Sequence, residues 1–172
     1  MIVIDNFLAE DRFKSIQEWL LGDEIPWIYD KVGECYTSAS YFKLNTTTDQ
    51  RFPIDRLTFF LHELDIRRFI NVELKDTLRR SSIFNKKFPP QKNSDHEVAF
   101  LYINTTNAYV KSPKSPKVRG IENRIIVCEK DELYTSVTGK DQKRSVVLQV
   151  NYTPINPIQS RDYSRRAQYY ER

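Results

Sequence analysis

Apolar residues recur at every second position through much of the later chain. Ile70, Val72 and Leu74 alternate with Asn71 and Glu73, and Val98, Phe100 and Tyr102 alternate through 97–104. Val146, Leu148, Val150 and Tyr152 alternate with Val147, Gln149 and Asn151, and Arg124 to Cys128 is a β-branched run. Successive side chains of an extended chain point to opposite faces, so this period predicts antiparallel strands with one face buried. The earlier chain has a different period. Phe13, Ile16 and Leu20, with Trp19 alongside, predict a helix over 9–21 that Gly22 stops. Pro53 opens a second helical pattern, with Ile54, Leu57, Leu61 and Leu64 on one face, ending near Asp65. Short strands are expected at 2–4 and at Pro26-Trp27-Ile28-Tyr29. Two early helices followed by strands predict an α+β chain, its helices packed on an antiparallel sandwich or barrel.

The chain has 172 residues, enough for one well-filled core. Its 40% hydrophobic and 13% aromatic content excludes a disordered polymer. Polar breaks fall at 30–51, read as short strands and loops, at 79–96 with Pro89-Pro90, and at 111–119, where KSPKSPKVR reads as a Pro/Lys loop. Residues 1–153 form the expected core domain and 154–172 a C-terminal Arg/Tyr-rich extension.

Scarcity excludes several chemistries. Two His and two Cys must all be used to make one four-ligand zinc site, and Cys35 and Cys128 lie far apart. Four glycines, at 22, 33, 120 and 139, make no dinucleotide or phosphate-binding fingerprint. Free thiols in a reducing compartment are expected, with Cys35 and Cys128 buried or idle and Trp19 and Trp27 in the core. The opening residues lack a signal-peptide pattern, and no apolar run is long enough to span a bilayer.

Several segments, in their order, resemble a known family. The opening IDNFLAEDRFKSIQEWLLGDEIPWIY, the middle INVEL and DHEVAFLYINTTNAY, and the late ENRIIV and KDQKRSVVLQVNY are similar to the small phage-type iron(II)/2-oxoglutarate dioxygenases of the prolyl-4-hydroxylase-like group. The resemblance covers about residues 1–153. It implies a double-stranded β-helix, or jelly roll, with two flanking N-terminal helices. Such enzymes hold iron with two His and one carboxylate on one face. In the chain, Leu64 stands two residues after His62 and Val98 two after His96, so neither His opens a His-x-Asp/Glu pair. The resemblance implies that the expected ligand positions are Pro89, Gln91 and Tyr134, and that Arg144, beside Lys143, marks a vestigial 2-oxoglutarate position. No metal and no cofactor are expected.

Function is then expected at the surface. The net charge of +4 is local: Lys111, Lys114, Lys117 and Arg119 form one basic cluster, and the extension interleaves Arg161, Arg165 and Arg166 with Tyr163, Tyr169 and Tyr170. A solvated loop, a protein contact and a phosphate contact all suit the first cluster. Arg and Tyr in the second are the residues that anchor interfaces. The expected protein is a non-enzymatic, oxygenase-derived structural component of a phage virion, associated with head, neck or tail. It would bind other virion proteins or copies of itself and sit in the virion if phage-encoded, otherwise in the host cytoplasm. An active iron(II)/2-oxoglutarate hydroxylase with non-standard ligands and a nucleic-acid-associated accessory protein are the alternatives.

Overall fold

The computed structural model describes residues 1–22, 27–30, 35–38, 58–64, 66–76, 90–92, 94–137, 139 and 145–154. They form two helices and two antiparallel sheets. The larger sheet contains β1 (Ile2–Ile4), β2 (Trp27–Asp30), β3 (Cys35–Ser38), β4 (Ile66–Asp76), β6 (Glu97–Tyr102), β9 (Ile125–Cys128) and β11 (Val146–Pro154), in the order β1-β9-β6-β11-β4-β3-β2. The smaller contains β5 (Gln91–Lys92), β7 (Tyr109–Ser112), β8 (Ser115–Arg119) and β10 (Leu133–Val137), in the order β5-β10-β7-β8. From β4 onward the chain passes repeatedly between the two sheets, and late strands pair beside early ones. This is a double-stranded β-helix, the jelly-roll architecture.

The alternation in sequence explains the layers. Side chains of Ala99, Leu101, Ile125, Val127, Val146, Leu148, Val150 and Tyr152 leave one face of the larger sheet and join a core with Leu8, Phe13, Ile16, Trp19, Leu20, Phe60 and Leu64. Their neighbours Val98, Phe100, Tyr102, Ile126 and Cys128 leave the other face and meet Ala108, Val110 and Tyr134 of the smaller sheet region. β6 and β9 are therefore buried on both faces, which is why they read as continuous apolar runs.

Helix α1 spans Glu10–Leu21, close to its expected range, and buries Phe13, Ile16, Trp19 and Leu20 on one stripe. Glu10 and Asp11 place negative charge in its first turn, where the helix dipole favours it. Helix α2 is Thr58–Glu63; the expected start at Pro53 and the end at Asp65 lie outside the described residues. Phe7 and Phe60 meet edge to face with ring centroids 6.1 Å apart, tying the entry of α1 to α2. No helix among the described residues is long and apolar enough to cross a membrane.

Two expectations are corrected. KSPKSPKVR is a β-hairpin, not a loop: β7 and β8 pair with Tyr109 opposite Arg119 and Ser112 opposite Ser115, around a turn at Pro113 and Lys114. The hairpin tolerates Pro116 because β8 is the edge of its sheet and the register shifts there. Pro116 and Lys117 together face Lys111, and a missing N–H at such a bulge breaks no ladder bond. The polar break at 79–96 also contains β5, and β4 runs well past 70–74, over Ile66–Asp76.

Trp19 and Cys128 lie in the core as expected; the side chains of Trp27 and Cys35 lie outside the described residues. Burial among apolar side chains, with Glu132 nearby, pushes the Cys128 thiol pKa up. Because the thiolate is the nucleophile, alkylation mapped to residue 128 by mass spectrometry is expected only after unfolding. Rapid modification of the native chain at Cys128 would contradict this packing.

Candidate functional site

Gln91 and Tyr134 stand on β5 and β10 of the smaller sheet. These strands pair antiparallel, with Tyr134 opposite Gln91 and Leu133 opposite Lys92. Cross-strand partners share a face, so Tyr134 and Gln91 lie on the same face of the smaller sheet. The Tyr134 phenol donates a hydrogen bond to Gln91 Oε1 at 2.9 Å. Its ring lies edge to face with Phe100, centroids 5.6 Å apart at 70°. Tyr134 is buried (2% exposed) in the same cluster as Phe100, Val110 and Cys128, while Gln91 sits at the rim. Two residues 43 positions apart in sequence thus meet as a donor and an acceptor at one end of the barrel.

The histidines lie elsewhere. α2 packs on the outer face of the larger sheet, and His62 is exposed on it, separated from the interior by that sheet. His96 precedes β6, and its Nδ1 lies 2.6 Å from Asp95 Oδ1. Among the described residues no three His, Cys, Asp or Glu side chains gather to hold a metal. On β11, Gln149 and Asn151 are buried, and Gln149 Nε2 donates to Asn151 Oδ1 at 3.5 Å. Pro89 and Arg144 lie outside the described residues.

The second candidate region is the outer face of the hairpin. Lys111, Lys114, Lys117 and Arg119 are all exposed there. Lys117 Nζ sits 3.8 Å from the centre of the Tyr109 ring, a cation–π contact. Tyr109 was not singled out from sequence. Its signal is positional, since it stands directly opposite Arg119 once the hairpin is recognised. Arg161, Tyr163, Arg165, Arg166, Tyr169 and Tyr170 lie outside the described residues.

A third set of contacts was also missed. Asn123, buried in the turn before β9 with φ 55°, clamps Leu8, two residues before α1. Its Nδ2 donates to Leu8 O at 2.8 Å and its Oδ1 accepts from Leu8 N at 3.0 Å. Its backbone accepts from Phe7 N and donates to Tyr102 O, each at 3.0 Å. Beside it, Asp5 and Arg124 pair through two hydrogen bonds, and the guanidinium holds the Asp5 carboxyl below its usual range.

No family model matches this sequence, and no curated protein matches it. Solved structures do. The chain is similar to SnoK, a non-heme alpha ketoglutarate dependent carbocyclase from nogalamycin biosynthesis, at TM-score 0.63 and 11% identity over 95% of this chain and 85% of that one. It is also similar to SnoN, a non-heme alpha ketoglutarate dependent epimerase from the same biosynthesis, at TM-score 0.61 and 7% identity over 89% of this chain and 78% of that one. SnoN in complex with Fe3+, alpha ketoglutarate and nogalamycin RO gives TM-score 0.58 at 8% identity. At such identities the likeness is one of fold, and function rests on the site.

Proposed function

We propose that this chain is a non-enzymatic protein built on an oxygenase-type double-stranded β-helix, serving as a structural and interaction component of a phage virion. The observation that carries the reading is the Tyr134–Gln91 hydrogen bond. The structures of similar fold are non-heme alpha ketoglutarate dependent enzymes, and the resemblance in sequence puts the expected iron ligands at Pro89, Gln91 and Tyr134.

These residues do not fit the ion. A two-His-one-carboxylate site needs two imidazole nitrogens and an anionic oxygen with open positions between them. Proline has no side-chain donor. Gln91 offers a neutral amide oxygen that already accepts a hydrogen bond from Tyr134. Tyr134 offers a phenol engaged with Gln91, in place of an imidazole nitrogen. His62 is on the wrong side of the larger sheet to replace either residue.

With a neutral hydrogen-bonded pair where the ligands are expected, function falls to the surface. The Arg/Tyr-rich extension is the element that would join the domain to neighbouring virion proteins or to copies of itself. The phage assignment draws its support from the motif order of the sequence. Proteomics of purified virions from the source of this chain tests it: the chain should be present at a fixed copy number relative to the major capsid protein. Its restriction to infected-cell lysate, with none in the particle, would overturn the reading.

A further inference from the structure

The hairpin carries charge in an unusual arrangement. Between Glu97 and Glu122 the sequence has no acidic residue, yet it carries Lys111, Lys114, Lys117 and Arg119. All four are exposed, and none has a carboxylate partner among the described residues. They ride on paired strands rather than on a free loop. Val110 and Val118, directly opposite each other, anchor the hairpin's inner face to the core. The opposite strand position to Lys111 on β10 is the neutral Thr135, so the positive potential is not cancelled by its neighbour.

We infer that the outer face of this hairpin docks the phosphodiester backbone of duplex DNA, independently of base sequence. Three observations choose that partner. The exposed large apolar residues among the described ones are Val3, Ile121 and Leu133, so neither β7 nor β8 supplies the apolar centre that a protein interface is built around. Three of the four cations are lysines, a residue depleted at protein–protein interfaces and suited to phosphate contact as a point charge. The aromatic ring in the strip, Tyr109, already has Lys117 over one face, which leaves it poorly placed to stack an unpaired base. Phosphate neutralisation remains, and it carries affinity without sequence readout. The strip lies on the far side of the smaller sheet from Tyr134, so this inference does not rest on the loss of the iron ligands. It leaves protein contacts to the C-terminal extension.

The test is titration of the full chain with a short fluorescent duplex of random sequence across a salt series. Each phosphate contact contributes about −0.9 to the slope of log K against log salt. Replacing all four cations (Lys111→Ser, Lys114→Ser, Lys117→Ser and Arg119→Ser) should therefore make the slope shallower by about 3.6. Lys111→Ser and Lys114→Ser alone, which leave the Lys117–Tyr109 contact intact, should each remove about 0.9, so the test survives if the fourfold variant fails to fold. Three results would overturn the inference: no duplex binding at about 50 mM salt; a slope unchanged in the variants; or displacement by polyglutamate as effective as by the same charge of DNA, which would mark an acidic protein as the partner. Markedly tighter binding to a single strand than to the duplex would overturn it as well.

Discussion

Asn123→Ala is expected to destabilise the native chain by about 3–7 kcal/mol. The side-chain amide of Asn123 acts as a substitute peptide group. It accepts from Leu8 N and donates to Leu8 O, both in a buried setting. Alanine removes both partners at once, and each buried group left unpaired costs about 1–3 kcal/mol. The left-handed backbone at φ 55° adds about 1 kcal/mol more for a residue with a Cβ and no polar side chain. The clamp also sets the position from which α1 begins, because Phe7 N bonds to Asn123 O and Phe7 packs on Phe60. Urea unfolding of the two chains measures the loss. Asn123→Gly separates the causes: it relieves the backbone but not the hydrogen bonds, so it should recover only the smaller part. A chain carrying Asn123→Ala with an unchanged midpoint would show that Leu8 is satisfied another way.

Gly120→Ala is expected to be the second large loss, about 1–3 kcal/mol. Gly120 is buried, and its backbone bonds on both sides, donating to Ala108 O at 2.8 Å and accepting from Thr106 N at 3.0 Å. A Cβ built there would lie 2.4 Å from two ring carbons of Tyr102. Tyr102 is itself 3% exposed and packed among Val98, Phe100 and Ile126, so its ring has little room to retreat. The glycine is needed for this close approach and not for an unusual dihedral. The matching control is Gly120→Ala combined with Tyr102→Leu, which opens the space. If the clash is the cause, the double variant should lose less than its two parts together. Additive losses would place the effect elsewhere.

Much of the larger sheet was legible because of its apolar patterning, and β6 and β9 are buried along their whole length. β4, β6, β9 and β11 carry an apolar side chain at every second position or at every position, and that period survives any loop between them. The smaller sheet left almost no period to read. β5 has two residues, both exposed. β8 has one residue in the core, Val118, and a proline in its middle. β10 alternates Tyr134 and Ser136 inward, a mixed pair that resembles a polar stretch. Pro116 reads as a loop residue until β8 is known to be an edge. The site followed the same division. Motif order singled out Gln91 and Tyr134, but their mutual hydrogen bond depends on β5 pairing with β10, which no local pattern announces. Asn123 was missed because a single asparagine in a turn carries no signal of the distant backbone it holds.

On the proposed reading, the barrel interior holds no catalytic iron. Anaerobic titration of the full-length chain with Fe(II) and 2-oxoglutarate, followed by visible absorption and by metal analysis after desalting, tests it directly. With Tyr134 donating to Gln91 at the rim of the interior, no charge-transfer band should develop and no iron should remain at stoichiometric level. One equivalent of tightly held iron, with the metal-to-ligand band and consumption of 2-oxoglutarate on admission of oxygen, would contradict the account.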